Sequence, residues 1–437
     1  IYDSGPNGQR PAMALSDSLK SLGLKLMRFK TGTPARVDRR TIDFEKTSIQ
    51  KGDPTSPAFS FLTTEMPREQ TPCYLTYTNA ATHEVIRANL HRAPMANGVI
   101  EGIGPRYCPS VETKIARFPD KDRHQLFLEP EGLHTNEIYV QGMSTSLPTD
   151  VQEAFLTTIP GLEHARIMRP GYAIEYDCLD PLQLEATLAV KHIVGLYSAG
   201  QANGTSGYEE AAAQGLVAGV NAVREIAGEE PLVLRRSDGY IGVLIDDLVT
   251  KGTDEPYRMM TSRAEYRLIL RQDNADLRLT PIGRAAHLVS DERWARFTAK
   301  RDAIEETLHL LESTKLSPSA ETEARLAGAG IQPLRVPMSL FALLSREGNY
   351  DVLAPLFDLP ALAADVKEEV EIMARYDGYI KKQQEQIARM ERLESRRIPK
   401  TLDYAAITSL RLEAAEKLAA IRPRSIGQAA RISGVSP

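Results

Sequence analysis

The 437-residue sequence has few cysteines and no long apolar run. Its three cysteines, Cys73, Cys108 and Cys178, are too sparse for a disulfide framework or a paired-cysteine metal site, so we predict no metal centre. An odd, low count is typical of a reducing compartment, and we expect the cytoplasm. No segment approaches the roughly 20 consecutive apolar residues that cross a bilayer, so we expect no membrane span. Internal repeats are also absent from the sequence.

The given sequence does not begin with methionine, and we expect no signal peptide in its first residues. It opens with IYDSGPNGQR, a polar and glycine-rich stretch without the apolar core of a signal peptide. It ends abruptly after a predicted helix and a glycine turn. We therefore expect the protein to have further residues at both ends. A chain of this length exceeds one ordinary core, which predicts two or three domains.

Acidic residues outnumber basic ones, and the net charge of −5 by itself disfavours a polyanionic ligand. The charges are unevenly distributed. Residues 1–52 contain 10 lysines and arginines against 5 acidic residues, and residues 371–437 contain 13 against 8. The two basic ends are therefore compatible with nucleic-acid binding. The alternative is the ordinary variation of charge along a soluble chain.

A glycine-rich loop lies between a predicted strand and a predicted helix. The apolar run at 193–201 predicts a buried strand, and the small-residue stretch from Tyr208 predicts a helix that stops at Gly228. Such a loop offers backbone N–H groups and the positive end of a helix dipole to a nucleotide. The residues that we assign to cofactor contact here are Gly200, Gln201, Asn203, Gly204, Thr205, Gly207 and Tyr208. Because the spacing is not GxGxxG, a purely structural turn is the alternative.

The segment GPRYCPSVETK at 104–114 places Cys108 near two cations, Arg106 and Lys114. Nearby cations lower the pKa of a thiol and favour the nucleophilic thiolate. Cys108 is therefore a candidate nucleophile. The alternative is a buried, unreactive cysteine, which is the usual state of a lone cysteine.

Two helices are predicted in the second half of the chain. Apolar residues recur at helical spacing from Val366 to Met390, which indicates one helix of about 30 residues. A second helix is predicted over 263–272, and on it three arginines would share one face and could grip phosphates. These are Arg263, Arg267 and Arg271. The alternative is a salt-bridged surface, with Glu265 and Asp273 as candidate partners.

Six segments, in this order, resemble those of the MnmG/GidA family of tRNA-modifying flavoproteins. They are KTGTPAR at 30–36, IEGIGPRYCPSVETKIARFPD at 100–120, RPGYAIEYD at 169–177, SAGQANGTSGYEEAAAQGLVAG at 198–219, EPYRMMTSRAEYRLILRQDNADLRLT at 255–280 and SIGQAARISGVSP at 425–437. Together they extend over nearly the whole chain, which makes the resemblance far more specific than any single short motif.

The resemblance implies an α/β fold class with three parts. These are an incomplete FAD domain of the glutathione-reductase type, an inserted NAD(P)H-handling α/β domain and an all-α C-terminal domain. We expect a remnant of the N-terminal FAD-domain segment in 1–30, the inserted domain in 31–120, the returning FAD-domain segment in 121–250, and a helical domain for tRNA and a GTPase partner in 251–437.

The implied activity is an FAD- and methylene-tetrahydrofolate-dependent modification of carbon 5 of the tRNA wobble uridine. The group added is aminomethyl or carboxymethylaminomethyl, and NADH or NADPH supplies reducing equivalents. The implied partners are tRNA, through its anticodon loop, an MnmE-type GTPase, and a second copy in a homodimer. Gln201 matches an FAD-contacting glutamine and Cys108 a catalytic cysteine, for which the roles of nucleophile, acid and flavin partner stay open. The NAD-associated segment matches 104–118, where we assign cofactor contacts to Gly104, Arg106, Lys114 and Phe118.

The sequence departs from the family pattern in two respects. The N-terminal GxGxxG, which would cradle the FAD pyrophosphate, is absent, and so is a second family cysteine. Two alternatives therefore stay open. One is a non-enzymatic fragment that binds tRNA or a partner without FAD. The other is the related folate- and FAD-dependent tRNA uridine methyltransferase family, against which the long helical C-terminal region argues.

Overall fold

A computed structural model describes residues 4–54, 58–63, 65, 70–95, 97–107, 109–399 and 401–435. The chain divides into two compact units. The first, called here the α/β unit, comprises Ile1–Gln183, Ser198–Gly215 and Gly252–Arg258. The second, the helical unit, comprises Leu184–Tyr197, Leu216–Lys251 and Met259–Pro437.

The strands of the α/β unit form a sheet and a separate ribbon. They are β1 (Leu26–Thr33), β2 (Arg36–Asp38), β3 (Ser48–Gln50), β4 (Cys73–Tyr77), β5 (Gln125–Pro130), β6 (Glu137–Gln141), β7 (Ile167–Arg169) and β8 (Tyr172–Leu179). Six of them form an antiparallel sheet in the order β3-β4-β5-β6-β2-β7. Strands β1 and β8 pair antiparallel from Leu26↔Leu179 to Thr33↔Tyr172. The alternation of apolar residues at β4, β5 and β6 predicts strands there, and the structure confirms them.

Helices α1 (Met13–Ser21), α2 (Ala80–Ala88), α3 (Val111–Arg117) and α4 (Thr149–Leu156) accompany these strands. Helix α2 begins with a capping box, in which the Asn79 side chain accepts the Thr82 N–H and the Thr82 hydroxyl accepts the Asn79 N–H. The inward residues of β5 and β6 share one core with the helices. Its buried members include Leu126, Leu128, Ile138, Val140, Ile86, Ile115 and Phe155. Burial of each such side chain stabilises the fold by about 1.5–3 kcal/mol.

The remaining elements are mainly helices. They are α5 (Tyr208–Ala227), α6 (Tyr240–Lys251), α7 (Ala275–Ala285), α8 (Asp291–Ser313), α9 (Ala320–Gly328), α10 (Leu340–Glu347), α11 (Tyr350–Leu353), α12 (Ala364–Glu394), α13 (Leu412–Ile421) and α14 (Ile426–Ala429), with a short strand pair, β9 (Lys315–Leu316) and β10 (Met338–Ser339). Helix α5 confirms the helix predicted from Tyr208. It ends before Gly228, whose φ of 69° is the left-handed conformation that favours glycine.

The core of the helical unit is built around the first half of α12. This helix of 31 residues confirms the long apolar stripe predicted from the sequence. Val370 and Ala374 of α12 belong to one buried cluster with Leu343 of α10 and Leu311 of α8. Further along α12 the stripe is less buried, and Tyr376 is 37% exposed.

The strand predicted at 193–201 is wrong. Turns and bends occupy 191–195, Val194 is 95% exposed, and Tyr197 makes only an isolated bridge to Ala189. The backbone here closes on itself, because the Val190 N–H donates to the Leu196 carbonyl at 2.8 Å. An apolar run forms a buried strand only when a neighbouring strand pairs with its backbone groups. Here a local turn forms instead of a strand.

Candidate functional site

The glycine-rich loop before α5 has a backbone that only glycine adopts easily. A 3₁₀ helix, Gly200–Asn203, leads to Gly204, and these two glycines have φ values of 77° and 81°. A Cβ on Gly204 would lie 3.2 Å from the Phe29 ring and 3.1 Å from Thr253. Conformation and close packing therefore both require glycine at position 204.

A buried network of amide and hydroxyl groups fixes this loop. The side-chain amide of Asn203, which is fully buried, donates to the Ser198 carbonyl at 2.9 Å and to Gln214 Oε1 at 2.8 Å. Gln214 Nε2 donates to Thr205 Oγ1 at 3.0 Å, and that hydroxyl donates to the Gly200 carbonyl at 2.9 Å. The side chains of Asn203 and Thr205 are thus engaged within the protein, where they hold the loop in shape.

The side chains that the loop presents outwards are Gln201 and Tyr208. Both are exposed, and Tyr208 is 94% exposed. Burial raises the pKa of Tyr176 to about 12, against the opposing effect of its hydrogen bond with Gln201, so this phenol stays neutral at physiological pH. Tyr208 also begins α5, whose first-turn N–H groups have no acceptor within the helix. Gln201 and Tyr208 are therefore the side chains of this loop that a ligand could contact.

The second predicted cofactor segment lies against the β1–β8 ribbon. Glu175 Oε1, on β8, accepts the N–H groups of Glu101 at 3.0 Å and Gly102 at 2.8 Å. The Lys30 N–H on β1 donates to the Ile103 carbonyl at 3.0 Å. A Cβ on Gly104 would lie 3.4 Å from the Lys30 side chain, so the protein itself covers Gly104 on that side.

A third segment, Gly252–Arg258, connects the other two. The Tyr257 N–H donates to the Gly204 carbonyl at 2.8 Å, and the Ser206 N–H donates to the Tyr257 carbonyl at 2.9 Å. Glu255 forms an ion pair with Arg106 at 3.1 Å. The structure therefore brings residues 104–106 and 200–208 to the same ribbon. Spacing in the sequence gives no signal for Glu175, Glu255 or Tyr257, which lie far along the chain from the segments that they join.

Cys108 lies outside the described residues, so its assignment as nucleophile stays a prediction. Arg106, one of the two cations invoked for it, engages Glu255, although its side chain remains 68% exposed. Lys114 lies on α3, and its ammonium donates to the Gly142 carbonyl at 3.1 Å. Phe118, at the end of α3, is half-exposed.

The other two cysteines have the properties of packing residues. Cys178 is 2% exposed, and burial, assisted by the carboxylates of Asp177 and Asp180, raises its pKa to about 12. Burial followed by the charge of Glu129 also raises the pKa of Cys73. Both thiols are therefore protonated at neutral pH and poor nucleophiles.

The helix predicted over 263–272 is wrong. Thr261–Arg263 form a 3₁₀ turn, and further turns follow until α7 begins at Ala275. Buried side chains such as Tyr266 and Leu270 anchor these turns in a core, which overrides the local helical preference. The three arginines therefore do not form one helical row.

The arginines of this segment also differ in their partners. Arg271 forms ion pairs with Asp273 at 2.9 Å, as the sequence suggests, and with Glu369 at 2.7 Å. Glu265 instead accepts from the buried Arg236 at 2.8 Å. Arg267 is exposed. The assignment of Arg263, Arg267 and Arg271 to tRNA binding stays a prediction.

Two further kinds of site were sought in the part of the chain that the structure describes. No group of three or more histidine, cysteine, aspartate or glutamate side chains there could hold a metal ion. No helix within the same residues is both long and apolar enough to cross a membrane.

Comparison with known proteins places these features in a class of tRNA-modifying proteins. Residues 1–230 match the family described as glucose inhibited division protein A. Residues 291–384 match the C-terminal helical domain of the tRNA modifying enzyme MnmG/GidA, and residues 386–437 match its C-terminal helical bundle. The chain therefore belongs to the MnmG/GidA family, which confirms the family predicted from the six sequence segments.

Individual relatives match the chain from end to end. The tRNA uridine 5-carboxymethylaminomethyl modification enzyme MnmG of Caldicellulosiruptor saccharolyticus is 58% identical over 100% of this chain and 70% of its own length. The enzyme of the same name from Clostridium botulinum strain Loch Maree is 56% identical with the same coverage.

Solved structures support the same fold. Two crystal forms of Aquifex aeolicus GidA, each 45% identical to this chain, superpose with TM-scores of 0.87 and 0.88. The first covers 98% of this chain and 68% of the crystallised chain, and the second covers 100% and 71%. With the mixed α/β unit and the helical unit described above, this likeness confirms the predicted fold class.

Proposed function

We propose that this chain takes part in modifying carbon 5 of the wobble uridine in tRNA, adding an aminomethyl or carboxymethylaminomethyl group. The observation that carries the proposal is the 58% identity, over the whole chain, to an enzyme named for tRNA uridine 5-carboxymethylaminomethyl modification. The reaction takes its one-carbon unit from methylene-tetrahydrofolate and its reducing equivalents from NADH or NADPH, in the cytoplasm.

FAD is the cofactor that the loop before α5 suits. Gln201 and the first-turn N–H groups of α5 would hold the polar edge of the flavin ring, and Gly200, Gly204 and Gly207 shape the backbone beside it. Bound FAD would supply redox chemistry to the site. Asn203 and Thr205 act in this proposal by holding the loop, since their polar atoms are engaged within the protein.

Cys108 is the proposed nucleophile toward the uracil ring. Carbon 5 of uracil is a weak nucleophile. Addition of the Cys108 thiolate to carbon 6 converts the ring to an enolate with electron density on carbon 5. After carbon 5 has bonded to the one-carbon unit, a base would take the carbon-5 proton, and cleavage of the bond between carbon 6 and sulfur would restore the ring and release the thiolate. An amine would then displace the carrier from the one-carbon unit and so supply the nitrogen of the added group. Activation of a nucleophile by nearby cations is a common device, and Arg106 precedes Cys108 by two residues.

The C-terminal region, residues 251–437, is the proposed platform for tRNA and for an MnmE-type GTPase. The family matches at 291–384 and 386–437 support a specialised role for it. We further propose residues 1–30 and 121–250 as FAD-domain segments, residues 31–120 as the NAD(P)H-handling insertion, and a homodimer as the assembly.

Two experiments test this proposal. An absorption spectrum of the purified chain, before and after addition of FAD, reports whether the loop retains a flavin, and the expected result is a bound-flavin spectrum that Gln201→Ala weakens. Modification of tRNA by the chain with the GTPase partner is then compared for wild type, Cys108→Ser and the matched control Cys73→Ser. We expect loss of modification only in Cys108→Ser.

Each of the two experiments can contradict a specific part of the proposed function. Wild-type activity in Cys108→Ser would exclude the nucleophile role while leaving the rest intact. Absence of bound flavin, with tRNA binding retained, would favour the second candidate function, a non-enzymatic tRNA- or partner-binding protein.

A further inference from the structure

A cavity of about 270 Å³ lies within the helical unit, apart from the loop described above. Segments 233–237 and 265–266, helices α6 and α12, and the region 424–431 line it. Four apolar side chains of the lining, called here the apolar wall, are Ile245, Tyr266, Ile387 and Met390. The volume is near the lower end of small-molecule pockets, which suits one planar ring system rather than a longer ligand.

The carboxylates that line this cavity are already paired with cations. Asp246 accepts two hydrogen bonds of 2.8 Å from Arg431, and Glu265 accepts from Arg236 at 2.8 Å. Glu394 pairs with Arg431, and Glu391 pairs with Arg235. These acidic side chains therefore present little uncompensated negative charge to a ligand.

Two arginines in the lining are not engaged in such ion pairs. The guanidinium groups of Arg397 and Arg424 make no hydrogen bond or ion pair with any residue that the structure describes. Their backbones are held together, because Arg397 forms an antiparallel bridge with Ser425, and the Ile398 N–H donates to the Arg424 carbonyl at 3.0 Å. The cavity lining thus combines apolar side chains with two arginines whose guanidinium groups have no partner among the described residues.

The frame around these arginines is tightly packed. Ser425, which is 2% exposed, donates to the Glu394 carboxylate at the end of α12. A Cβ on Gly427 would lie 2.7 Å from Glu394 Cδ, so α14 and α12 are in close contact. The backbone that carries the two arginines is therefore fixed before a ligand binds, which reduces part of the ordering cost of binding.

We propose that this cavity binds one unpaired nucleotide of an RNA, with the base against the apolar wall and the phosphate on Arg397 and Arg424. The proposal rests on the tRNA function proposed above and adds a second RNA contact to it. Unstacked RNA bases are commonly bound against aromatic and apolar side chains, and arginine fits phosphate oxygens with its planar fork of donors.

The test measures binding of a fluorescently labelled tRNA transcript to the purified chain over a range of salt concentrations. The double variant Arg397→Gln/Arg424→Gln is expected to bind about tenfold more weakly and to reduce the slope of log affinity against log salt by about 1. Arg389→Gln, at an exposed arginine of α12 outside the cavity lining, is the matched control and should bind like wild type. Met390→Trp, which fills the apolar side, should weaken binding without changing the salt slope.

A single-stranded oligouridylate and an RNA duplex of equal length distinguish a nucleotide pocket from a general phosphate patch. We expect the double variant to weaken binding of the single strand and leave duplex binding unchanged. Equal losses for both, or wild-type tRNA affinity in the double variant, would overturn the cavity proposal while leaving the proposed function intact. A wild-type chain that binds no RNA would overturn both. Circular dichroism and urea unfolding verify that each variant folds.

Discussion

The buried amide network of the glycine-rich loop makes a strong prediction for Asn203→Ala. In the wild type the Asn203 side chain donates to the Ser198 carbonyl and to Gln214 Oε1, and it accepts from the Ser198 hydroxyl. Alanine removes all three bonds. Because Asn203 is fully buried, water cannot easily replace the lost partner, and Gln214 Oε1 and the Ser198 carbonyl lose a donor.

The loss of loop stability in Asn203→Ala follows from the number of buried polar groups that the substitution leaves unpaired. Each buried polar group without a partner costs about 1–3 kcal/mol, so two such groups cost roughly 2–6 kcal/mol, and relaxation of the loop should reduce this to about 3 kcal/mol. Since 1.36 kcal/mol corresponds to a factor of ten, the open form of the loop should become about 100-fold more populated.

Amide hydrogen exchange measures this directly. Peptides covering 198–215 should exchange about 100-fold faster in Asn203→Ala, whereas peptides from α8 and α12 should keep their wild-type rates. Gln201→Ala is the matched control, because Gln201 is exposed and loss of its single hydrogen bond with Tyr176 should change loop stability by no more than about 1 kcal/mol. Wild-type exchange in Asn203→Ala together with lost flavin binding would refute the structural role and indicate a direct ligand contact.

Two further predictions concern the helical unit. Gly427→Ala should lower its unfolding free energy in urea by about 1–3 kcal/mol, because the new Cβ would lie 2.7 Å from Glu394 Cδ. Gly378 lies on α12, and no atom lies within 4 Å of the position that its Cβ would take. Gly378→Ala should therefore stabilise the unit by about 0.5–1 kcal/mol. Destabilisation by both variants would contradict this reasoning. Burial, with the neighbouring Asp273, raises the pKa of Glu369 to about 7. The stability that this raised pKa contributes to the folded state is therefore complete below the ordinary carboxyl pKa and disappears as pH rises through about 7. Glu369→Gln should flatten the pH dependence of the free energy of urea unfolding between about pH 5 and 7. An unchanged pH profile would exclude the raised pKa.

Local patterns predict the elements whose stabilisation is local. The small-residue stretch from Tyr208 predicts α5, and its end at Gly228 follows from the left-handed conformation there. The apolar spacing along 366–390 predicts α12. Alternation predicts β4, β5 and β6, since half-buried strands have the same period in every sheet.

Patterns fail where distant contacts decide the backbone. Residues 193–201 have the composition of a buried strand, but no strand lies beside them among the described residues, and a local turn forms instead. The stretch 263–272 has helical spacing of its arginines, yet Glu265 pairs with Arg236 and Arg271 with Glu369. Each of these interactions joins residues at least 29 positions apart.

The sequence by itself determined the family and the main helices, because these depend on long matching blocks and on local spacing. The two segments assigned to cofactor contact stay a prediction. Only the tertiary structure decided that residues 104–106 and 200–208 lie at the β1–β8 ribbon, linked through Glu255 and Tyr257. It also decided that Asn203 is turned inward while Gln201 is exposed, since burial depends on partners such as Gln214 that the loop meets only after folding.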